Sequence, residues 1–254
     1  VEEVILFLFG LAWGSFLNVV IYRLPRNMSL VHPPSACPRC GSRIKFYDNI
    51  PLLSYLLLRG RCRACGGPIS PSYPLVELLT ALSFLILHAQ YSWRLHFFAS
   101  CLFVSALIAL GFIDYFHQIL PDEITLPGLG LAIVYSLFRD DLTFRQSLVG
   151  AVVGASLLLA IYVSYFVLRK KEGMGLGDIT MMLLIGAYLG WTKAVFTLII
   201  ASLVGSLVGL FLVYIRKKTF QYSLPFGTFL APAAFFSFLW GDKIIQAYLS
   251  LYRR

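Results

Sequence analysis

The chain has 254 residues, 59% of them hydrophobic, 15% aromatic and only 13% charged, with a mean hydropathy of +0.79. Globular domains carry about a quarter charged residues and under half apolar ones, so composition speaks against a water-soluble fold and places most of the chain in lipid. The 21 Phe and 14 Tyr exclude disorder, and the net charge of +9 reads as membrane topology, with no nucleic-acid partner.

A membrane helix needs about 20 mostly apolar residues. In chain order, candidate spans lie near 4–22, 74–90, 95–113, 120–138, 143–168, 179–191, 194–215 and 224–250. They predict an all-α polytopic membrane protein of about eight transmembrane helices. The first opens with Glu2 and Glu3 and lacks both a basic start and a clear small-residue cleavage site, so it does not read as a cleavable signal peptide. The sixth is short, so it begins inside the bilayer or sits where the bilayer is thinned. The eighth contains Gly241, Asp242 and Lys243, and its tail either crosses or lies on the surface.

Lys and Arg set the orientation. The loop 23–73 holds Arg23, Arg26, Arg39, Arg43, Lys45, Arg59, Arg61 and Arg63 against one acid, Asp48. Arg169, Lys170 and Lys171, then Arg216, Lys217 and Lys218, fall on the same side of an eight-span chain. The positive-inside rule therefore predicts a cytoplasmic 23–73 loop and both termini outside. No internal repeat or long flexible linker stands out.

Four of the five cysteines lie in that loop as Cys37-Pro38-Arg39-Cys40-Gly41 and Cys62-Arg63-Ala64-Cys65-Gly66. Two C-x2-C pairs at this separation read as a closed, tetrahedral zinc site, with a following Gly that lets amides turn toward the thiolates. Two disulfides or unpaired thiols are the alternative, and a reducing cytoplasm argues against disulfides. A closed four-thiolate site leaves no open position for water, so the metal is expected to be structural, holding a loop too small to build a core. His32 is a weaker ligand candidate. Cys101, in an apolar span, reads as a small buried hydrophobe.

Among the twelve acids, Glu77, Asp114, Asp122, Glu123 and Asp178 stand in or against spans, where ionisable groups are costly and are functional candidates by default. Asp114 ends the third span and Asp178 opens the sixth, both on the cytoplasmic side of an eight-span count. Two carboxyls from different helices at one depth can meet and share a proton, one activating a water while the other protonates a carbonyl. Gly173, Gly175 and Gly177 precede Asp178 and permit positive φ and a bare backbone with which an extended substrate could pair. Asp122, after Pro121, is either a helix cap or a functional acid. Glu77 is either a polar clamp between helices or a site residue, and His117 could tune Asp114. From the residues alone three functions stay open: an aspartyl intramembrane protease, a proton-coupled transporter with an aspartate relay, and a scaffold whose acids serve packing. Acids near one face, away from the midplane, favour the protease.

Five motifs in order resemble those of the prepilin peptidases of type IV pilus and type II secretion systems, within the GxGD aspartic proteases. They are Gly14-Ser15-Phe16-Leu17-Asn18 through Tyr22-Arg23-Leu24-Pro25; the paired cysteines; Tyr73-Pro74-Leu75-Val76-Glu77; Asp114 with Leu120-Pro121-Asp122, and Gly175-Leu176-Gly177-Asp178 with Gly190-Trp191; and Leu224-Pro225-Phe226-Gly227. The resemblance implies a first transmembrane helix over 1–22, a cytoplasmic zinc domain over 23–73 and a protease domain over 74–254. It implies Asp114 and Asp178 as the catalytic pair, with Gly175, Gly177, Glu77 and Asp122 in support. It implies removal of the leader from prepilins or pseudopilins after a Gly, in a bacterial inner membrane. Many members of the family then methylate the new N-terminus with S-adenosylmethionine. No Rossmann-type glycine fingerprint marks a donor site, and Gly60 and Arg61 beside Cys62 are the candidates to test, against a plain reading as a turn and one more cytoplasmic charge. The chain departs from the family wording at Tyr115-Phe116, where a second acid is common, and at Thr228 and Pro232.

Overall fold

The computed structural model describes residues 1–170, 175–216 and 224–252. Lys171, Lys217 and Lys218 of the topology argument, and Gly173 of the glycine run, lie outside the described residues. Among those described there are no strands, and each predicted span coincides with a helix. The helices are α1 (Glu2–Arg23), α2 (Leu53–Leu57, inside the cysteine loop), α3 (Ser72–Tyr91), α4 (Leu95–His117), α5 (Asp122–Tyr135), α6 (Phe144–Arg169), α7 (Leu176–Leu189), α8 (Trp191–Arg216) and α9 (Gly227–Tyr252).

By length and composition, five described segments can cross a membrane: Glu2–Arg26, Ser72–Tyr91, Leu95–His117, Phe144–Leu168 and Trp191–Tyr214. The long helices are apolar around their whole circumference, as expected where every backbone group must be satisfied within the segment. Ile5, Leu8, Phe9, Val152, Ile161, Leu203 and Leu207 point outward and are exposed, a surface suited to lipid. With 14 residues, α7 rises only about 21 Å, short of a hydrocarbon core about 30 Å thick.

Two boundaries differ from expectation, and both matter. The third span was expected to stop at 113. Its helix instead continues to His117 and ends where Gln118 turns left-handed (φ +55°) and donates its N–H to the Asp114 carbonyl at 2.8 Å. The sixth was expected from 179. Its helix begins at Leu176, which puts Asp178 inside the first turn, its N–H on the Gly175 carbonyl.

The chain divides into two compact units, Val1–Ala109 and Leu110–Arg254, and the division falls inside α4. In the first unit α1 packs along α3. Gly10 and Gly14 lie on the α3 backbone: a Cβ at either would sit 2.6 Å from the Cα of Ala81 or Glu77. Small residues at such a seam let membrane helices approach closely. Trp13 Nε1 donates to Ser105 Oγ at 2.9 Å, tying α1 to the first part of α4. In the second unit α6 packs on α7, α8 on α9, and α5 on α7. Gly150 and Gly186 meet so closely that a Cβ on either would collide with the other's carbonyl. Thr143 and Gln146 close a capping box at the start of α6. Arg139, in the α5–α6 connection, lies 5.3 Å from the ring centroids of both Tyr135 and Tyr188, which stack on each other at 6.0 Å, and donates to the Tyr188 carbonyl at 2.8 Å.

Candidate functional site

The segment between α1 and α3 contains a repeat that the sequence did not announce. Cys37 N–H donates to Ser42 O and Gly41 N–H to Cys37 O; 25 positions on (37 to 62), Cys62 N–H donates to Gly67 O and Gly66 N–H to Cys62 O. Isolated bridges Ala36–Arg43 and Arg61–Pro68 close the two turns alike. Gly41 (φ +71°) and Gly66 (φ +66°) supply the left-handed residue each turn requires. The sequence shows little of the repeat because only the cysteines, these glycines and Ile44 and Ile69 are shared; the rest is backbone geometry.

The turns bring one sulfur each from Cys37, Cys40, Cys62 and Cys65 within 4.8 Å of one another, a cluster that could hold a metal ion. His32 is exposed and outside the cluster. Hydrogen bonds from the Ser42 hydroxyl and N–H pull the Cys40 thiol down to about 6. Backbone N–H groups of Cys65 and Ala64 lower that of Cys62. Against the Gly67 N–H, which lowers it, the Cys40 sulfur and the crowding of its neighbours push Cys65 up to about 11. Such a split is what four thiols packed together produce when they cannot all ionise. Cys101 is buried in α4, away from the cluster.

Three contacts hold this loop to the helices of its own unit. Arg23, counted from sequence as a cytoplasmic charge, is buried and donates to the carbonyls of Ser29 (2.9 Å) and Pro33 (2.6 Å). The two flanking helices are themselves joined at the base of the loop, where Asn18 Nδ2 on α1 donates to Tyr73 O on α3 at 3.0 Å. Glu77, 7% exposed on α3, accepts the Leu52 N–H at 2.8 Å, and Leu52 is itself left-handed (φ +60°). Glu77 has a clamp's contacts: it joins α3 to the loop through Leu52 and faces Ser15 on α1. A cavity of about 820 Å³ lies between loop and helices, lined among others by Asn18, Tyr22, Tyr55, Tyr73 and Glu77. Gly60 and Arg61 do not line it. Gly60 lies against the Tyr55 ring and Arg61 closes the second turn.

The carboxylates are assembled differently. The C-terminal end of α4 and the N-terminal ends of α5, α7 and α9 converge in the second unit. Asp114 is 5% exposed and Asp178 6%. Asp114 Oδ2 accepts the Thr228 N–H at 2.8 Å and faces the Thr228 hydroxyl at 3.3 Å. The Gly227 N–H faces both carboxyls, and Asp178 feels the charge of Asp114 directly. Leu120, in the α4–α5 turn, is the spacer: a Cβ on Gly177 would lie 2.8 Å from its Cβ, and one on Gly227 3.1 Å from its Cδ1 and 3.0 Å from Asp114 Oδ2.

Gly175 (φ −75°) caps α7 in extended conformation and Gly177 is helical, so neither takes the positive φ the glycine run was expected to use. The physical demand on Gly177 is close approach to Leu120, and only Gly175 presents extended backbone. Asp122 is exposed at the first position of α5; Pro121 occupies the cap, with no side-chain capping bond. The Asp122 carboxyl accepts the Thr125 hydroxyl at 3.3 Å, and Thr125 in turn reaches Thr180 on α7 at 3.3 Å. Thr125 and Thr180 carry no sequence signal, since isolated threonines in apolar helices have no spacing, and Thr228 stands out in the sequence only as a departure from the family wording, with no role attached.

The family model of the bacterial peptidase A24 N-terminal domain matches residues 8–91, and that of the type IV leader peptidase family matches residues 101–210. A protein of Aeromonas hydrophila named prepilin leader peptidase/N-methyltransferase is 38% identical over 270 residues, 97% of this chain and 93% of its own. The chain belongs to the type IV leader peptidase family. A Pseudomonas aeruginosa member of the same name is 38% identical over 95% of this chain and 91% of its own, and one of Myxococcus xanthus 46% identical over 82% and 62%. No solved structure matches. The matched regions of this leader peptidase family member include the four cysteines in the first and both aspartates in the second.

Proposed function

We propose that this chain is an intramembrane aspartyl endopeptidase that removes the leader of type IV prepilins or pseudopilins, cleaving after Gly, and then methylates the new N-terminus with S-adenosylmethionine. The carrying observation is that Asp114 and Asp178, far apart in sequence and both buried, are gathered around one side chain: Leu120 packs on Gly177, next to Asp178, and on Gly227, against which Asp114 Oδ2 lies. Two carboxyls held so close share one proton. A pair with one proton has the base to activate water and the acid to protonate the scissile carbonyl. The extended backbone at Gly175, beside the pair, suits an unwound leader junction. The excess of Lys and Arg in 23–73 supports a cytoplasmic face for loop and aspartates, termini outside, in a bacterial inner membrane. The chain then divides by role into a first membrane helix (1–22), a metal-bearing loop (23–73) and the peptidase helices (74–254).

The metal is proposed to be structural zinc. Four thiols suit it, and a tetrahedron with Zn–S bonds of about 2.3 Å has edges near 3.8 Å, compatible with sulfurs within 4.8 Å. S-adenosylmethionine supplies an activated methyl group when bound. The loop cavity, about 820 Å³, falls in the range of small-molecule sites, roughly 300–1,000 Å³. Tyr22, Tyr55 and Tyr73 offer it aromatic surface and Asn18 and Glu77 polar groups. Gly60 would act by seating Tyr55.

The test uses the purified full chain in liposomes with a prepilin and the methyl donor, following leader removal and methylation by mass spectrometry. Asp114→Asn and Asp178→Asn are each expected to lower cleavage at least about a thousandfold, within the range for a lost acid or base. Substantial residual cleavage by either variant overturns the pair.

A further inference from the structure

The two aspartates are not equivalently held. Two donors converge on Asp114: the Thr228 N–H at 2.8 Å and the Thr228 hydroxyl at 3.3 Å. Among the described residues, no comparable hydrogen bond reaches the Asp178 carboxyl, although it is equally buried. Its neighbour Thr180 turns its hydroxyl away, to the Gly177 carbonyl at 3.0 Å. Donors that point at a carboxylate favour its ionised form, and a buried carboxyl without them keeps its proton. The donors of Asp114 open α9, whose N-terminal dipole adds in the same sense.

We infer that the first turn of α9 decides which aspartate does which job: Asp114 is the ionised base, Asp178 the protonated acid, and Thr228 is the positioning residue that sets the assignment. This rests on the peptidase reading above. Asp114 takes a proton from water as the water oxygen bonds to the carbonyl carbon. The carbonyl π pair moves to oxygen, which takes the Asp178 proton. On collapse the C–N bond breaks, the amine leaves with the proton from Asp114, and a hydroxyl proton of the intermediate returns to Asp178. Both groups regain their starting states.

The one Thr228 hydroxyl proton is shared between Asp114 Oδ2 and Gly111 O, each at 3.3 Å, which fixes the α9 start against the α4 end. Substitutions at Thr228 separate its two bonds. Thr228→Ser keeps both. Thr228→Val keeps the N–H alone. Thr228→Pro removes both at a helix position that tolerates proline.

The experiment measures kcat and KM for leader removal by the full chain in liposomes, and maps by mass spectrometry which aspartate a small epoxide esterifies, since only an ionised carboxylate opens the ring. In the parent, label is expected on Asp114. Thr228→Ser should stay within about twofold of the parent kcat. Thr228→Val should lose about threefold to tenfold, and Thr228→Pro about a hundredfold, the scale of hydrogen bonds to charged groups. KM should stay unchanged, and label should shift toward Asp178. Label on Asp178 in the parent, or full kcat in Thr228→Val and Thr228→Pro, overturns the inference. If Thr228→Pro does not fold, Thr228→Val and the parent label decide. Cleavage surviving in the two Asp→Asn variants would instead overturn the underlying peptidase reading.

Discussion

The cysteine loop and the aspartate pair show two ways to gather four contributors around one point. In the loop, the ligands come from two copies of one turn, each closed by its own backbone hydrogen bonds. Around the aspartates, the contributors are the ends of four helices, each placed by packing far from the site. The first arrangement is local and would fail locally on loss of the metal proposed for it. The second is as reliable as the helix seams behind it, so a change remote from the carboxylates can undo it.

Removing the metal should separate the two most widely. Structural zinc contributes about 10 kcal/mol or more to small domains. Cys62→Ser or a strong chelator should therefore open the 24–71 loop to proteolysis and stop methylation, while leader removal falls far less. Equal loss of both activities would erase the distinction. Gly150→Val should do the reverse, forcing α6 from α7 at a cost of about 3 kcal/mol and lowering cleavage with no change in metal content. Unaltered thermal unfolding would show that this seam does not set the second unit. Glu77→Ala leaves the Leu52 N–H without its acceptor and should cost about 1–3 kcal/mol, seen as easier loop opening. Glu77→Gln, still an acceptor, should recover most of it.

The smallest effect lies at the surface of the loop. Arg63 donates to both Asp48 oxygens, at 2.9 and 2.7 Å among its bonds, and holds that carboxyl below its ordinary value. A lowered folded value means the contribution is present above the unfolded carboxylate range, about 3.9, and is lost as pH falls through the lower folded one. The stability difference between the parent and Asp48→Asn should therefore shrink below about pH 4 and also in high salt. A difference independent of both would assign Asp48 another role.

How far the sequence could be read follows the same division. Hydropathy located each span, because a lipid-facing helix is apolar along its whole length. The C-x2-C pairs announced a metal-ligand cluster, because the spacing is the geometry. Asp114 and Asp178 stood out as acids against apolar spans. The role of Thr228, the hydrogen-bond partner of Asp114, did not, because it acts through where a helix begins, which is not encoded in local spacing. Arg23 was misjudged for a related reason, since a charge at a span end reads as solvated until the carbonyls of Ser29 and Pro33 are seen around it. The displaced start of α7 has the same origin: Gly and Leu before Asp178 read as loop, and the packing of Gly177 on Leu120 makes them helix.

The meeting of Gly150 and Gly186 has one more consequence. With no side chain on either surface there, α7 has nothing to ride over and no room to slip along its axis. That crossing acts as a fixed stop, and the rigid rod beyond it measures off the depth of its far tip, Asp178, about 12 Å away along the helix. Between them, a bare patch of backbone and a fixed length of helix set how far Asp178 stands from the α6–α7 crossing.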